Sequence, residues 1–512
     1  MGDSAADNKR IAKNTLYLYG RMLLSMCVSF YTSRVLLNTL GVVDYGVYGV
    51  VGGIVAMFMF LNGALITSTQ RYINFELGRG NKEKLNLVFN TSLRIHFIVA
   101  FVIVFLSETI GMWFFYNKMV IPAERMDTAF GVFQISILTT VVAIISTPYN
   151  AVIVAHEKMN IFALFSILEV FLKLAVALAL QVFGYDKLLT YAILIASVHI
   201  FMRFIYGRYC KIHFEETSFC KIYDKSLMVK MSKFTGWNIW GNLAAVLYGS
   251  GLNLLLNTFF DPVVNAARAV AITVEGSLAQ FVGNFLVAVN PQITKLYSQN
   301  RLSEMHSLIF RSAKFSCLLL FMVSLPVLIE TETILTLWLK TVPDYTIQFI
   351  RLLIFIGLVD NMARPLITAA AATGNVKLYQ SAIGGILLAI VPISYVVLLM
   401  GGNPTSVYVV HLIVAIVAFI VRLIIIRPLI NMSIVKFFRM VILPFLIVLA
   451  ISIPIGITLH NVISEGIISS LIVCVLCSLI AGTLAYAIGF TKNERKFINE
   501  KIAEVYHKIL RR

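Results

Sequence analysis

The chain has 512 residues, of which 59% are hydrophobic and 13% charged, against roughly 45–50% and about 25% in a soluble domain. That balance excludes a disordered chain and an ordinary cytosolic enzyme, and it points to a polytopic membrane protein. The formal charge of +17, from 42 Lys and Arg against 25 Asp and Glu, then has to be placed among membrane spans, and six cysteines are too few for a disulfide scaffold.

In chain order, Met1 to Lys13 is polar and carries Lys9, Arg10 and Lys13. The apolar stretch after it is too long for a secretory signal. A helix needs about 20 mostly apolar residues to cross the bilayer core. The hydropathy pattern predicts fourteen such helices, at 14–39, 46–69, 89–111, 128–154, 159–183, 188–209, 234–258, 265–289, 308–329, 346–372, 377–400, 405–427, 437–459 and 466–490. The polar stretch from Lys211 to Lys233 is the longest gap, too short for a soluble domain. With the N-terminus in the cytoplasm, the loops and span ends on that side collect most of the Lys and Arg. Only Lys118, Arg125, Lys187 and Lys340 fall in the opposite loops. The positive-inside rule therefore predicts both ends in the cytoplasm. The basic residues are scattered over short loops rather than gathered on a folded module, which argues against nucleic-acid binding. The tail from Lys492 to Arg512 is expected as an amphipathic helix on anionic lipid.

The chain repeats itself. Lys13-Asn14-Thr15, Gly20 and Leu36-Leu37-Asn38-Thr39 recur as Lys233-Phe234-Thr235, Gly241 and Leu255-Leu256-Asn257-Thr258, at offsets of 219 to 221. Pro148 and Pro365 form a second anchor, offset by 217. Two anchors in one register predict duplicated halves of six helices, related by an axis along the membrane normal. The expected organisation is a half at 1–210, a cytoplasmic linker at 211–233, a second half at 234–430, two extra spans at 431–490 and a cytoplasmic tail at 491–512. The fold class is an all-α polytopic membrane protein with two pseudo-symmetric six-helix bundles and two C-terminal helices.

Embedded charge is costly, roughly 2.5–3.5 kcal/mol at mid-bilayer on the mildest scale, and usually faces a cavity or a partner. Arg21 and Arg34 lie in the first span, thirteen residues apart and so on different faces. Each either snorkels to its nearer interface or binds an anion bidentately. Arg268 and Glu275 in the eighth span are seven apart and share a face, which makes them cavity candidates, with Glu275 able to gate by taking up a proton. Glu169 with Lys173, and Asp360 with Arg364, are spaced i, i+4. Each is either a neutralised intrahelical pair or a site of ion coupling, with Asp360 the best single candidate. His199 and His411 lie within spans and are expected to be satisfied by neighbouring carbonyls. Cys474-x-x-Cys477 sits in an apolar helix without neighbouring metal ligands. No phosphate-binding loop occurs, so ATP is not the direct driver, and no nucleophile elbow occurs. No cofactor is expected beyond coupling to a proton or sodium gradient.

The turn Leu40-Gly41-Val42-Val43-Asp44-Tyr45-Gly46-Val47-Tyr48 resembles the first periplasmic turn of bacterial polysaccharide flippases of the O-antigen type. These belong to the multidrug/oligosaccharidyl-lipid/polysaccharide exporter superfamily. The loop from Gln70-Arg71-Tyr72 through Gly78-Arg79-Gly80-Asn81 is similar to the one after the second helix in that family, as are the duplication, the charged first helix and the fourteen spans. The resemblance implies a V-shaped pair of six-helix bundles around a central cavity, in a bacterial inner membrane. It implies flipping of an undecaprenyl-pyrophosphate-linked oligosaccharide to the outer leaflet, with membrane lipids and polysaccharide-assembly proteins as further partners. Arg21 falls where related lipid II flippases carry a cavity arginine. Their further Arg-Asp pair is replaced here by Cys27 and Val28, which argues against lipid II as substrate.

Three other classes fit the sequence less well. A cation-coupled drug exporter of the same superfamily typically has twelve spans and acidic cavities, whereas here the embedded charge leans cationic. A membrane-bound polymerase or acyltransferase typically needs a large outer loop or a catalytic His. A scaffold without transport would not need embedded charge on both halves.

Overall fold

In a computed structural model of the chain, 90% is helical and no strand occurs among the described residues. Those residues are 2–56, 59–119, 121–182, 186–260, 262–339, 342–463, 466–492, 494–495 and 499. Lys340 and nearly all of the expected tail helix lie outside them.

The first half of the chain forms α1 (Gly2–Ala56), α2 (Met59–Arg79), α3 (Lys82–Leu106), α4 (Met112–Lys118), α5 (Met126–Ala155), α6 (Met159–Ala179) and α7 (Lys187–His213). After it come α8 (Lys225–Phe259), α9 (Pro262–Ser298), α10 (Leu302–Ile329), α11 (Thr331–Leu339), α12 (Thr346–Thr373), α13 (Lys377–Leu388), α14 (Ile390–Leu399) and α15 (Pro404–Ile430). The chain ends in α16 (Ile434–Phe437), α17 (Leu443–Val462) and α18 (Ile467–Leu484). Among the described residues, twelve helical segments are long and apolar enough to cross a membrane, and they coincide with the third to fourteenth expected spans. The protein is thus a multi-pass helical membrane protein. The first two expected spans fall in α1 and α2, which are helical but not among the twelve.

Local sequence sets the breaks. α1 bends at Gly41, whose φ of 77° and ψ of 169° suit a residue without Cβ. This is the first of the two glycines of the Leu40–Tyr48 turn. The expected eleventh span is split into α13 and α14, because Pro392 has no N–H to continue the ladder and Ala389 closes a turn onto Gly385 and Ile386 instead. The side chain of Asn81 caps α3 through the Lys84 N–H, Asp186 caps α7, and Asn403 followed by Pro404 starts α15.

The chain forms two compact units. The first comprises Met1–Leu243, Val287–Arg301 and Gly374–Ser381; the second comprises Ala244–Leu286, Leu302–Thr373 and Ala382–Arg512. The 211–233 segment lies inside the first unit. In the first unit α5 packs on α3 and α7, and in the second α12 packs on α10 and α15. The helices carrying Pro148 and Pro365 therefore occupy corresponding places, each beside its predecessor and its second successor among the spans. Lipid is as apolar as leucine, so close packing and polar pairs, more than burial itself, hold such bundles together. Phe349 of α12 meets Tyr408 of α15 with ring centroids 4.4 Å apart, both fully buried. The two extra spans α17 and α18 pack on α10. Gly456 of α17 is what lets them approach, since a Cβ there would meet Ile329 at 3.0 Å and Cys477 at 3.4 Å.

Candidate functional site

The second unit contains a polar cluster inside its spans. Tyr408, His411 and Arg422 lie along one face of α15, at spacings of three and eleven residues, and all three are buried. Arg268 on α9, 7% exposed, donates from Nη1 to the Tyr408 hydroxyl at 3.0 Å and from Nη2 to the Gly249 carbonyl at 2.8 Å. Arg422 donates to Asp360 Oδ1 on α12 at 3.3 Å. Tyr248 of α8 stands among Asp360, Glu275, Arg268 and Arg422, and its ring meets His411 edge-on with centroids 5.3 Å apart. Glu275 is half-buried, with its carboxylate beside Gly357 and facing the charges of Arg364 and Asp360.

Arg268 also lines an open cavity of about 470 Å³ between α8 and α9, together with Gly249, Ser250, Asn253 and Ala269. A guanidinium has five N–H donors, and the bonds to Tyr408 and Gly249 use two of them. The cavity thus offers a cation, a hydroxyl and an amide to a polar ligand.

Two expectations change. Arg268 and Glu275 share a face of α9 but do not act as a pair, because Arg268 is tied to α8 and α15 while Glu275 looks toward α12. Asp360 does not form the intrahelical pair with Arg364 that the i, i+4 spacing allows as one of its two readings. Its ion partner is Arg422 from α15, and Arg364 is exposed. The i, i+4 spacing permits a pair on the helix surface, but the packing of α12 on α15 brings a buried guanidinium to the same carboxylate. Tyr248, Tyr408 and Arg422 were not singled out from the sequence. Their signal was available in the single polar face that Tyr408, His411 and Arg422 make on an otherwise apolar helix.

The first unit holds a smaller cluster. Lys173 Nζ and Glu169 Oε1 form an intrahelical ion pair at 2.6 Å on α6, the neutralised arrangement that the spacing allowed. Arg21 of α1 donates to Ser166 Oγ at 3.4 Å, and its guanidinium lies 5.1 Å from the centre of the Phe162 ring. Tyr206 of α7 faces both Glu169 and Arg21, and His199 faces Lys173 and Glu169. The structure therefore brings Arg21 together with the Glu169–Lys173 pair. Arg34 stands apart and is exposed.

No protein-family profile and no curated protein matches the chain. Solved structures do. A multidrug-resistance MATE-family transporter of the MOP superfamily, in an outward-facing conformation, aligns over 82% of this chain and 96% of its own, with a TM-score of 0.70 and 13% identity. A point mutant of a MATE transporter aligns over 82% and 97%, with a TM-score of 0.71 and 13% identity. A MOP-superfamily transporter from Pyrococcus furiosus, for which a reversed polarity of the binding pocket is taken to suggest a different function, aligns over 82% and 96%, with a TM-score of 0.66 and 14% identity. The chain thus has the MATE-like fold of MOP-superfamily transporters.

Proposed function

We propose that this protein is a secondary transporter that flips an undecaprenyl-pyrophosphate-linked oligosaccharide from the cytoplasmic to the periplasmic leaflet, by alternating access, for surface polysaccharide synthesis. The observation that carries this reading is the way the embedded charges are matched. Asp360 is paired with Arg422 and Glu169 with Lys173, while Glu108 accepts from Gln134 at 3.3 Å. Arg268 has a hydroxyl and a carbonyl as partners rather than a carboxylate, and Arg34 and Arg364 are exposed. The surplus is therefore cationic, which suits the bidentate binding of a pyrophosphate. It is the opposite of what a cationic drug would need. The Pyrococcus transporter of the same fold is an example in which pocket polarity is linked to a change of function.

In this reading the protein lies in the inner membrane with both ends cytoplasmic, and polysaccharide-assembly proteins act on its product. Energy comes from the membrane potential or an ion gradient, worth about 2.3 kcal/mol per charge per 100 mV. Glu275 and Asp360 are the groups through which a proton or sodium ion would couple. Arg268 and Arg364 of the second unit attract and hold the head group while the lipid tail stays in the bilayer, and Arg21 and Arg34 are the candidates for that role in the first unit.

A second reading, a cation-coupled multidrug exporter, is favoured by the MATE neighbours and by Glu275, an embedded carboxylate that forms no ion pair among the described residues. Gene deletion followed by lipid extraction separates the two. Flipping predicts lipid-linked oligosaccharide trapped on the cytoplasmic leaflet and loss of surface polymer. Unchanged surface polysaccharide with new drug sensitivity would favour the exporter.

A further inference from the structure

The segment between α7 and α8 is strapped onto α3. After a 3-10 turn at Glu215–Thr217, residues 218–222 run along that helix without helical structure of their own. Asn86 donates to the carbonyls of Glu216 and Ser218, both at 2.9 Å. Asn90 donates to the Ser218 carbonyl at 2.9 Å and accepts from the Cys220 N–H at 3.1 Å. Arg94 donates to the carbonyls of Cys220 at 2.9 Å and Ile222 at 3.0 Å, and its guanidinium lies 5.7 Å from the Tyr223 ring. Asn86, Asn90 and Arg94 are each four residues apart, so they form one line along the helix, about 12 Å long. The strap gives them its alternate carbonyls at 218, 220 and 222.

The same line of α3 continues as Ile98, Phe101 and Phe105, which are 53, 72 and 60% exposed. They lie in a segment apolar enough to cross a membrane, so this is a face that needs lipid. The strap therefore ends where the hydrocarbon-facing surface begins. With its backbone satisfied by α3, it turns Phe219, Ile222 and Tyr223 outward, at 78, 65 and 59% exposure. Lys221, Lys225, Lys230 and Lys233 beside them are exposed as well. The acids nearby are engaged elsewhere. Glu215 pairs with Lys82, Glu216 with His156, and Asp224 accepts from the Leu227 N–H.

We propose that residues 218–225 are an interfacial anchor that docks onto anionic phospholipid. Phe219, Ile222 and Tyr223 insert at the head-group boundary, and Lys221 and Lys225 contact the lipid phosphates. Both halves of the surface call for the same partner, since aromatic and aliphatic side chains beside lysines fit an anionic membrane interface. A free phosphate would engage the lysines and leave three large apolar side chains in water. The anchor sits in the first unit and does not depend on which substrate is transported.

The test uses the purified full-length protein in detergent, titrated with phosphatidylglycerol, phosphatidylcholine or inorganic phosphate while thermal unfolding is followed. Phosphatidylglycerol should raise the midpoint more than phosphatidylcholine, and inorganic phosphate should not reproduce the effect. In a Lys221→Glu/Lys225→Glu variant the phosphatidylglycerol concentration giving half the stabilisation should rise about tenfold or more. Both lysines are exposed, so the midpoint in phosphatidylcholine should stay at the wild-type value. An Ile222→Asp variant should weaken the response to both lipids. Wild-type sensitivity to phosphatidylglycerol in the double-lysine variant would overturn the proposal. Equal stabilisation by inorganic phosphate would overturn it as well, by reducing the site to a free-anion site.

Discussion

Lys314 Nζ and Glu494 Oε2 meet at 2.7 Å with both side chains buried, 2% and 6% exposed, although 180 residues separate them. Glu494 also accepts from the Thr491 N–H and hydroxyl, and the Phe490 ring stacks on Phe315 at 4.5 Å. Just past the C-terminal end of α10, Glu330 binds His460 of α17. The last two spans are therefore clasped to the same helix at two points.

Removing one partner of a buried pair strands the other charge, at a cost of roughly 3–5 kcal/mol. Lys314→Met and Glu494→Leu should each lower the thermal unfolding midpoint strongly in detergent. The double variant, with no stranded charge, should recover most of the loss. A double-mutant cycle with no coupling would mean that the pair contributes nothing.

The Glu330–His460 contact should make stability sensitive to acid. Burial alone would push the Glu330 carboxyl up. Hydrogen bonds from His460, Thr333 and Ser470, with the charge of His460, outweigh it and hold the carboxyl below the usual range. A carboxyl lowered on folding stabilises the fold above its unfolded value, and this contribution is lost as pH falls through the folded value. In His460→Ala the acid limb of the unfolding midpoint against pH should therefore move to higher pH. An unmoved limb would show that the contact is not what holds Glu330 ionised.

Arg125 forks between two carboxylates. It bonds Asp44 through Nε at 2.8 Å and again through Nη2, and it bonds Asp186 through Nη1 at 2.8 Å. Asp44 belongs to the glycine-rich turn after the first span, and Asp186 caps α7. Burial pushes the Asp186 carboxyl up, but bonds from Thr128, Leu189 and Leu188, together with Arg125, bring it below its ordinary value. Arg125→Ala should cost about 1–3 kcal/mol. Arg125→Lys should restore less than half of that, since one ammonium cannot span both carboxylates in the same geometry. Full rescue by lysine, measured by thermal unfolding, would reduce the fork to simple charge.

Arg268 and Glu275 should separate in mutants. Arg268→Ala removes the donor to the Tyr408 hydroxyl and the second bond to the Gly249 carbonyl, which α8 itself already engages, so it should lower both the amount of folded protein in the membrane and transport. Glu275→Gln is nearly isosteric at a half-buried site and should leave membrane levels intact while reducing complementation of a deletion strain tenfold or more. Full complementation by Glu275→Gln would remove this carboxylate from the mechanism.

The membrane class, twelve of the expected spans and the places of Pro148 and Pro365 are properties of the sequence itself. A span needs only about 20 consecutive apolar residues, because backbone groups in lipid must bond within their own helix. The Glu169–Lys173 pair was legible for the same reason, since a helix fixes the distance between residues four apart. What the tertiary structure decided is which helix face meets which. Asp360 has a cation one turn away in sequence, yet it pairs with Arg422, 62 residues on, because α12 packs against α15. Arg268 left its face-mate Glu275 for Tyr408, 140 residues away. Intrahelical spacing constrains partners only along one axis, whereas a buried charge takes whichever partner the neighbouring helix presents, and nothing in the local sequence records that neighbour.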